Sequence, residues 1–377
     1  MLLLFKSSVM TRYLIITFLT LLITNWNIYG QVNEESGVQP GELSLRIKSI
    51  SFVKDNEYSS PVIEGYTLIG FFLQPELVYS PSGKITLRGG THLLKYSGAN
   101  KFSQFRPVFS TTFNLTGKTS LTIGTLSGSD KHRLFDPHFN SERLYNAYAE
   151  DGLQLTSGND HLFNDTWLSW ENFIFKGDST REVFTVGESF RYKSSPIADF
   201  LQIEVPVQLQ FKHFGGEISN YPEQVETYFN LATGLRINFD LAQKRYGQAG
   251  IEYLQFINNE LNGESPSGIS HGYASWLRLH YTYKALYIGA AYWQAHNFFA
   301  PNGNAIYGSV SDYQANVVIH ERKIITSQVY LTILPESYLE LFLGLETYYD
   351  IDLKKPDYSI ALHLNFDKLI KLATLKH

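Results

Sequence analysis

Apolar and polar residues alternate one for one along most of the chain. In FLQIEVPVQLQFK, Leu201, Ile203, Val205, Val207, Leu209 and Phe211 share one face, and Gln202, Glu204, Pro206, Gln208, Gln210 and Lys212 share the other. A helix would scatter those polar residues around its circumference, so the period of two predicts a strand. The pattern recurs in ELSLRIK from Glu42, KITLRGGTHLL from Lys84, FNLATGLRINFD from Phe229 and YLELFLGLE from Tyr338.

Turn signals separate these segments in two alternating kinds. The short ones fall at 80–83, 115–119, 157–160, 194–199, 241–245, Lys284 and 334–337. The longer ones lie near 54–64, 96–105, 128–150, 214–225, 258–272, 298–318 and 351–357, with a shorter one at 176–180. Short turns on one side and long loops on the other, with an even strand count, predict an all-β fold: a closed antiparallel transmembrane β-barrel of about 16 strands, within a range of 14 to 18. A secreted β-sandwich also alternates, but three features favour the membrane. The apolar face is dense in Leu, Ile and Phe on almost every strand. The strands have the roughly 9 to 11 residues that crossing a bilayer at a tilt requires. The opposite face, rich in Gln, Asn, Arg, Glu and His, makes a poor sandwich core and a good wet lumen.

The N-terminus fits that destination. Lys6 and Arg12 precede an uncharged apolar stretch from Tyr13 to Ile23, and a small residue, Gly30, follows. This is the layout of a secretory signal peptide, too short in its apolar part to span a bilayer as a helix. The expected organisation is a signal peptide over 1–30, a short periplasmic segment over 31–41, the barrel over 42–367 and a C-terminal tail over 368–377. Cysteine is absent, so disulfides do not stabilise the exported chain. Losing Lys6 and Arg12 takes the formal charge from −5 to −7, which disfavours nucleic acid as a partner. Aromatics reach 15%, with 25 Tyr and 26 Phe, and suit strands and membrane interfaces.

Two stretches carry a more specific likeness. YSIALHLNF, Tyr358 to Phe366, resembles the C-terminal assembly signal of outer-membrane barrels, with Ala361 where Gly is usual and with a tail beyond the aromatic residue. WLSWENFIFKGDSTREVFTVGESF, Trp167 to Phe190, resembles a segment of uncharacterised outer-membrane barrel proteins. The chain as a whole is similar to porin-like outer-membrane β-barrel proteins of Gram-negative bacteria. That resemblance implies outer-membrane lipid, lipopolysaccharide and the barrel assembly machinery as partners; it fixes no oligomeric state.

Candidate chemistry is sparse. Few residues precede the first strand, which disfavours a plugged, energy-coupled transporter. A barrel lipase or deacylase needs a nucleophilic hydroxyl beside a His, and the nearest pattern is His280 and Thr282, both of lumen parity. The run Ser129 to Gly152 holds His132, His138 and several carboxylates, yet the spacing matches no metal-ligand pattern. The expectation is therefore a non-enzyme without metal or cofactor: a channel for passive diffusion of small polar solutes. The alternative is a non-conducting barrel acting in export, surface assembly or lipid modification. A third reading fills the lumen with the chain's own residues, Trp276, Trp293 and Phe342 having inward parity. Expected channel-lining residues are Arg46, Lys48, Lys84, Arg88, Glu204, Lys212, Arg236, Arg278, Glu340 and Glu346. The resemblance to porin-like barrels, whose third outer loop commonly folds inward, implies a constriction through Asp130, Lys131, Arg133, Asp136 and Glu142, facing wall residues such as Arg88 and Arg236; the alternative is a loop lying across the outer mouth.

Overall fold

The alternating segments form sixteen antiparallel strands in the computed structural model, which describes residues 38–375 apart from 217, 219, 223, 243–244, 263–264 and 266–267. The expected signal peptide lies outside the described residues. The strands are β1 (Glu42–Glu57), β2 (Tyr66–Ser82), β3 (Ile85–Tyr96), β4 (Gln104–Thr116), β5 (Thr119–Thr125), β6 (Asp151–Gly158), β7 (Leu162–Asn172) and β8 (Glu182–Lys193). The second half comprises β9 (Leu201–Gly215), β10 (Glu226–Asp240), β11 (Gln248–Glu260), β12 (His271–Tyr283), β13 (Leu286–His296), β14 (Glu321–Glu336), β15 (Leu339–Asp350) and β16 (Lys355–Thr374). Each strand pairs with its sequence neighbours, and β1 closes the ring on β16. Among the described residues no sheet edge is left open, the condition for a sheet to stand in hydrocarbon.

The ring closes further along than the alternation of YSIALHLNF implies. Residues 368–374, expected as tail, continue β16 and pair with the start of β1, from Lys368↔Ile47 to Thr374↔Glu42. The reason is that KLIKLAT supplies backbone partners to ELSLRI, with one register shift between Leu43 and Ser44, and that stretch otherwise would have no neighbour on that side. Strand lengths run from 7 residues in β5 to 20 in β16, a wider spread than the even spacing of turns suggests.

The two faces of the wall differ as the alternation requires. Outward positions such as Ile69, Leu77, Leu279, Ile325 and Ile360 are exposed although apolar. In water such a continuous belt would be costly at roughly 25 cal/mol per Å²; against lipid tails it is stable. Among the described residues no helix is long and apolar enough to cross a membrane.

Inward positions of the outer half are not wet. Ala232, Leu254, Phe256, Ala274, Trp276, Trp293, Ala295, Ile324 and Tyr348 from β10 to β15 form one buried cluster with residues of three outer loops. Val62 and Ile63 come from the loop after β1, Phe135 from the loop after β5, and Phe298, Ile306 and Tyr307 from the loop after β13. Trp293 is wholly buried and its indole N–H donates to the Tyr307 carbonyl at 3.1 Å. A second cluster joins Ile50, Phe52, Phe72 and Leu94 of β1 to β3 with Tyr145 and Tyr148 of the third loop. The inward parity of Trp276 and Trp293 is thus realised as filling, and the barrel has a core inside its wall.

Candidate functional site

The third outer loop enters the lumen and is tied to the wall at many points. A 3-10 turn at Ser129–His132 and a single helical turn at Arg143–Asn146 give it local form. Gln208 of β9 donates to the Arg133 carbonyl at 3.1 Å, Gln210 to the His138 carbonyl at 2.9 Å, and Arg106 of β4 to the Ala149 carbonyl at 2.7 Å. The loop after β13 is stitched in beside it. Arg322 of β14, itself buried, donates to the carbonyls of Gly308 and Ile306 and pairs with Asp350 at 2.9 Å.

The two loops interlock. The Asn140 N–H donates to the Asn302 carbonyl at 2.6 Å, and Asn304 meets Asp136 through its backbone N–H and its side-chain amide. Gly303 permits the contact, because a Cβ there would stand 2.1 Å from the Pro137 carbonyl oxygen. Burial, the nearby Glu346 charge and the limited relief from Ser141 and Asn304 raise the Asp136 carboxyl to about 6.

His132 is the loop's polar anchor. Its Nδ1 donates to Asp165 of β7 and its Nε2 to Glu150, each at 2.8 Å, and its ring stacks on Trp167 at 3.8 Å. Burial opposes the charged imidazolium, but Asp165 and Glu150 outweigh it and raise the group to about 10. It is therefore a buried cation between two carboxylates, with Gln154 and Arg143 satisfying their remaining oxygens. Gly187 opposite leaves the room that Trp167 occupies, since a Cβ there would fall 2.1 Å from the indole. His138 differs: neither ring nitrogen has a hydrogen bond of ordinary geometry, and burial lowers it to about 4. The two loop histidines are thus sent to separate places, and neither meets Asp130 in a common site.

The expected site residues distribute as follows. Asp130 and Lys131 pair with each other at 3.3 Å on the exposed side of the loop, and Arg133 is exposed and lies over the Phe163 ring. Glu142 is buried, but it faces Lys54 at 3.8 Å, Asn56 at 2.9 Å and Tyr66, and neither Arg88 nor Arg236 is among these partners. Arg88 is instead buried against Ser110, the Thr125 carbonyl and Glu76. Lys212 pairs with Glu171 at 2.5 Å, Arg46 with Asp367, Glu340 with Asn365, and Glu346 with Lys54 at 3.4 Å. Lys48 is buried in the β1 wall. Lys84 is not on a strand wall: it occupies the exposed turn between β2 and β3, one residue before the alternation of β3 begins. Glu204, Arg236, Glu252 and Arg278 form an alternating belt across β9 to β12, with separations of 3.2, 2.7 and 2.7 Å. Glu252, which completes that belt, was not among the expected residues, although the inward parity of β11 marks it.

A second constellation sits at the outer rim on the membrane-facing side, where no site was expected. His296 closes β13 and Glu321 opens β14, directly paired in register; Tyr273 of β12 is the neighbour of His296 on its other side. His296 Nδ1 lies 2.6 Å from Glu321 Oε1, and its Nε2 lies 3.2 Å from the Asn297 amide nitrogen. Asn297, left-handed at φ 51°, also accepts from His320 Nδ1 at 2.6 Å. The Tyr273 ring is tilted over His296 at 5.4 Å. The side chains of His296 and Glu321 are 37% and 58% exposed, so they are reachable from outside. Below them the outward positions turn apolar, at Leu277, Tyr292 and Ile325. A carboxylate that fixes Nδ1–H leaves Nε2 as a base, the arrangement general-base chemistry needs. The sequence signal was an imidazole and a carboxylate of outward parity at two adjoining strand ends.

Solved structures of similar shape include outer-membrane proteins. They include an anion-selective porin of Comamonas acidovorans, 9% identical, with 87% of this chain and 100% of that one aligned at a TM-score of 0.52. OprD of Pseudomonas aeruginosa is 11% identical over 92% and 100% of the two chains, TM-score 0.51. In-vitro folded OmpT of Vibrio cholerae is 8% identical over 89% and 100%, TM-score 0.50. At these identities the likeness is one of fold, and the protein is an outer-membrane β-barrel. Among curated proteins none matches the chain. The model of a protein family, described as lipid A 3'-O-deacylase-type, matches residues 33–375. That is an enzyme family, so the expectation of a non-enzyme drawn from the missing Ser–His pattern is overturned. With almost the whole described chain matched, this protein belongs to the lipid A 3'-O-deacylase-type family.

Proposed function

We propose that the protein is an acyl-ester hydrolase of the outer membrane that acts on lipid A-type glycolipid, and so on lipopolysaccharide, from the membrane-facing rim of its barrel. The observation that carries this reading is the His296–Glu321 pair, exposed just above the apolar belt in a chain of this family. Ester carbonyls of an outer-leaflet lipid lie at that level, between tails and headgroups. The partners of His296 are a carboxylate and an amide, which makes water the nucleophile. A water that replaces the Asn297 amide at Nε2 gives its proton to His296 and adds to the ester carbonyl. The ester C–O bond then breaks, the sugar oxygen takes the proton back, and a fatty acid leaves. Glu321 holds the ring and stabilises the imidazolium formed on the way.

Passive passage of small solutes has less support, because loops and aromatic side chains fill the outer half of the lumen. The test uses the purified full-length protein in mixed micelles with lipopolysaccharide, read by mass spectrometry of the lipid. The expected result is loss of one acyl chain with release of free fatty acid, and a decrease of about a hundredfold or more in rate for His296→Gln. Unchanged lipid mass with the wild type, or full activity in His296→Gln, refutes the assignment.

A further inference from the structure

We propose that the lumen beneath the third loop holds a saccharide site, in which a ladder of aromatic rings receives a neutral or amino-bearing hexose and a cavity at its end reads the polar groups. The ladder takes one inward residue from each of five consecutive strands, β12 to β16. His280 and Tyr287 are 6.0 Å apart between ring centroids, Tyr287 and Tyr330 5.4 Å, Tyr330 and Phe342 5.3 Å, and Phe342 and His363 4.4 Å. Glycines on the same wall make room for these rings: a Cβ at Gly344 would meet Phe342 at 2.8 Å, and one at Gly289 would meet Tyr287 at 3.0 Å.

The apolar core of the outer half does not include this ladder, and four of its five rings keep partial exposure. A row of partly wetted aromatic rings is a platform for the C–H faces of a sugar ring, which combine apolar faces with a polar edge. At the β16 end the ladder reaches a cavity of about 230 Å³ lined by Lys54, Glu142, Tyr145, Phe342, Glu346 and His363. It is of a size for a single hexose, and it has the mix of apolar wall and few convergent polar groups that small-molecule sites share. The third loop, through Glu142 and Tyr145, forms one side of it, and the Tyr145 hydroxyl meets His363 Nδ1 at 3.0 Å.

The charge pattern narrows the ligand. Two carboxylates, Glu142 and Glu346, share one ammonium, Lys54, at 3.8 and 3.4 Å. The cavity therefore favours a neutral or cationic guest over an anionic one, and its carboxylates are acceptors for hydroxyl and ammonium donors. This site is independent of the rim histidine: it lies inside the wall and makes no use of His296.

Titration calorimetry of the detergent-solubilised protein with D-glucosamine, D-glucose and D-glucuronate tests the proposal. Glucosamine and glucose should bind saturably with a Kd on the order of 1 mM, glucosamine the tighter of the two, and glucuronate at least about tenfold more weakly than glucose. Phe342→Leu should weaken both sugars about two- to tenfold, the usual worth of an aromatic stack. Glu346→Gln should erase the preference for the amino sugar. Each variant is first checked for the heat-dependent gel migration of a folded barrel; if Phe342→Leu fails it, Tyr330→Leu, which removes the adjoining ring of the ladder, takes its place with the same expectation of weakened binding. Absence of saturable heat with either sugar up to about 50 mM, or unchanged binding in the folded variants, overturns the site.

Discussion

Replacing His132 should release the third loop from the lumen. In the folded protein its imidazolium lies between Asp165 and Glu150, fully buried, and its pKa rises from 6.5 to about 10. At 1.36 kcal/mol per pH unit that rise corresponds to roughly 5 kcal/mol in favour of the docked, protonated form below pH 6.5, and to about 4 kcal/mol at pH 7. Removing one partner of a buried ion pair independently costs about 3–5 kcal/mol. In His132→Gln the two carboxylates keep a hydrogen-bond donor but lose the cation, so the opening equilibrium of residues 126–150 should shift by about three orders of magnitude. Trypsin cleavage after Arg143, half-buried in the helical turn, reports that opening. Because the folded pKa is raised, the stabilisation in the wild type is complete below pH 6.5 and is lost as pH rises through about 10. The variant lacks that cation and should be open at pH 7. Cleavage of His132→Gln at the wild-type rate at pH 7 would show that the clamp does not hold the loop.

Two other outcomes follow from the filled lumen. Trp293→Ala removes a wholly buried indole from the cluster of β10 to β15 and should cost about 3–5 kcal/mol, seen as a lower temperature of heat-modified gel migration. Deleting Asp130 to Glu142 removes Phe135, His138 and the Asp136 link to the neighbouring loop, and should raise single-channel conductance in planar bilayers; a closed barrel after deletion would mean that the loop after β13 alone blocks the lumen.

The barrel was legible because its signal is local. Each strand must show one face to lipid and one to the interior, and every segment from ELSLRIK to YLELFLGLE does so within its own few residues. The order and number of turns then fix strand count and direction. What alternation does not carry is the partner of an inward side chain. Glu142 finds Lys54, some 90 residues earlier, and His132 finds Asp165 in β7; neither pairing leaves a mark in spacing. Lys84 shows the limit at a strand end, where parity is still regular although the residue already belongs to the turn. The rim pair His296 and Glu321 is separated by a 24-residue loop, so the two halves of one dyad look like two unrelated strand ends.

The interlocking of the two inner loops has a consequence for how the chain is assembled. Asn140 and Asn302, or Asp136 and Asn304, join backbone from opposite halves of the sequence inside a ring whose final seam is β1 against β16. Once that seam is sealed, two bulky loops would have to thread past one another from the outer mouth. Packing of the core is therefore coupled to the last and most non-local pairing in the chain, and contacts of that sequence separation form slowly. An assembly intermediate of this protein should be an open, curved sheet already holding its loops on the concave side, with closure as the final step.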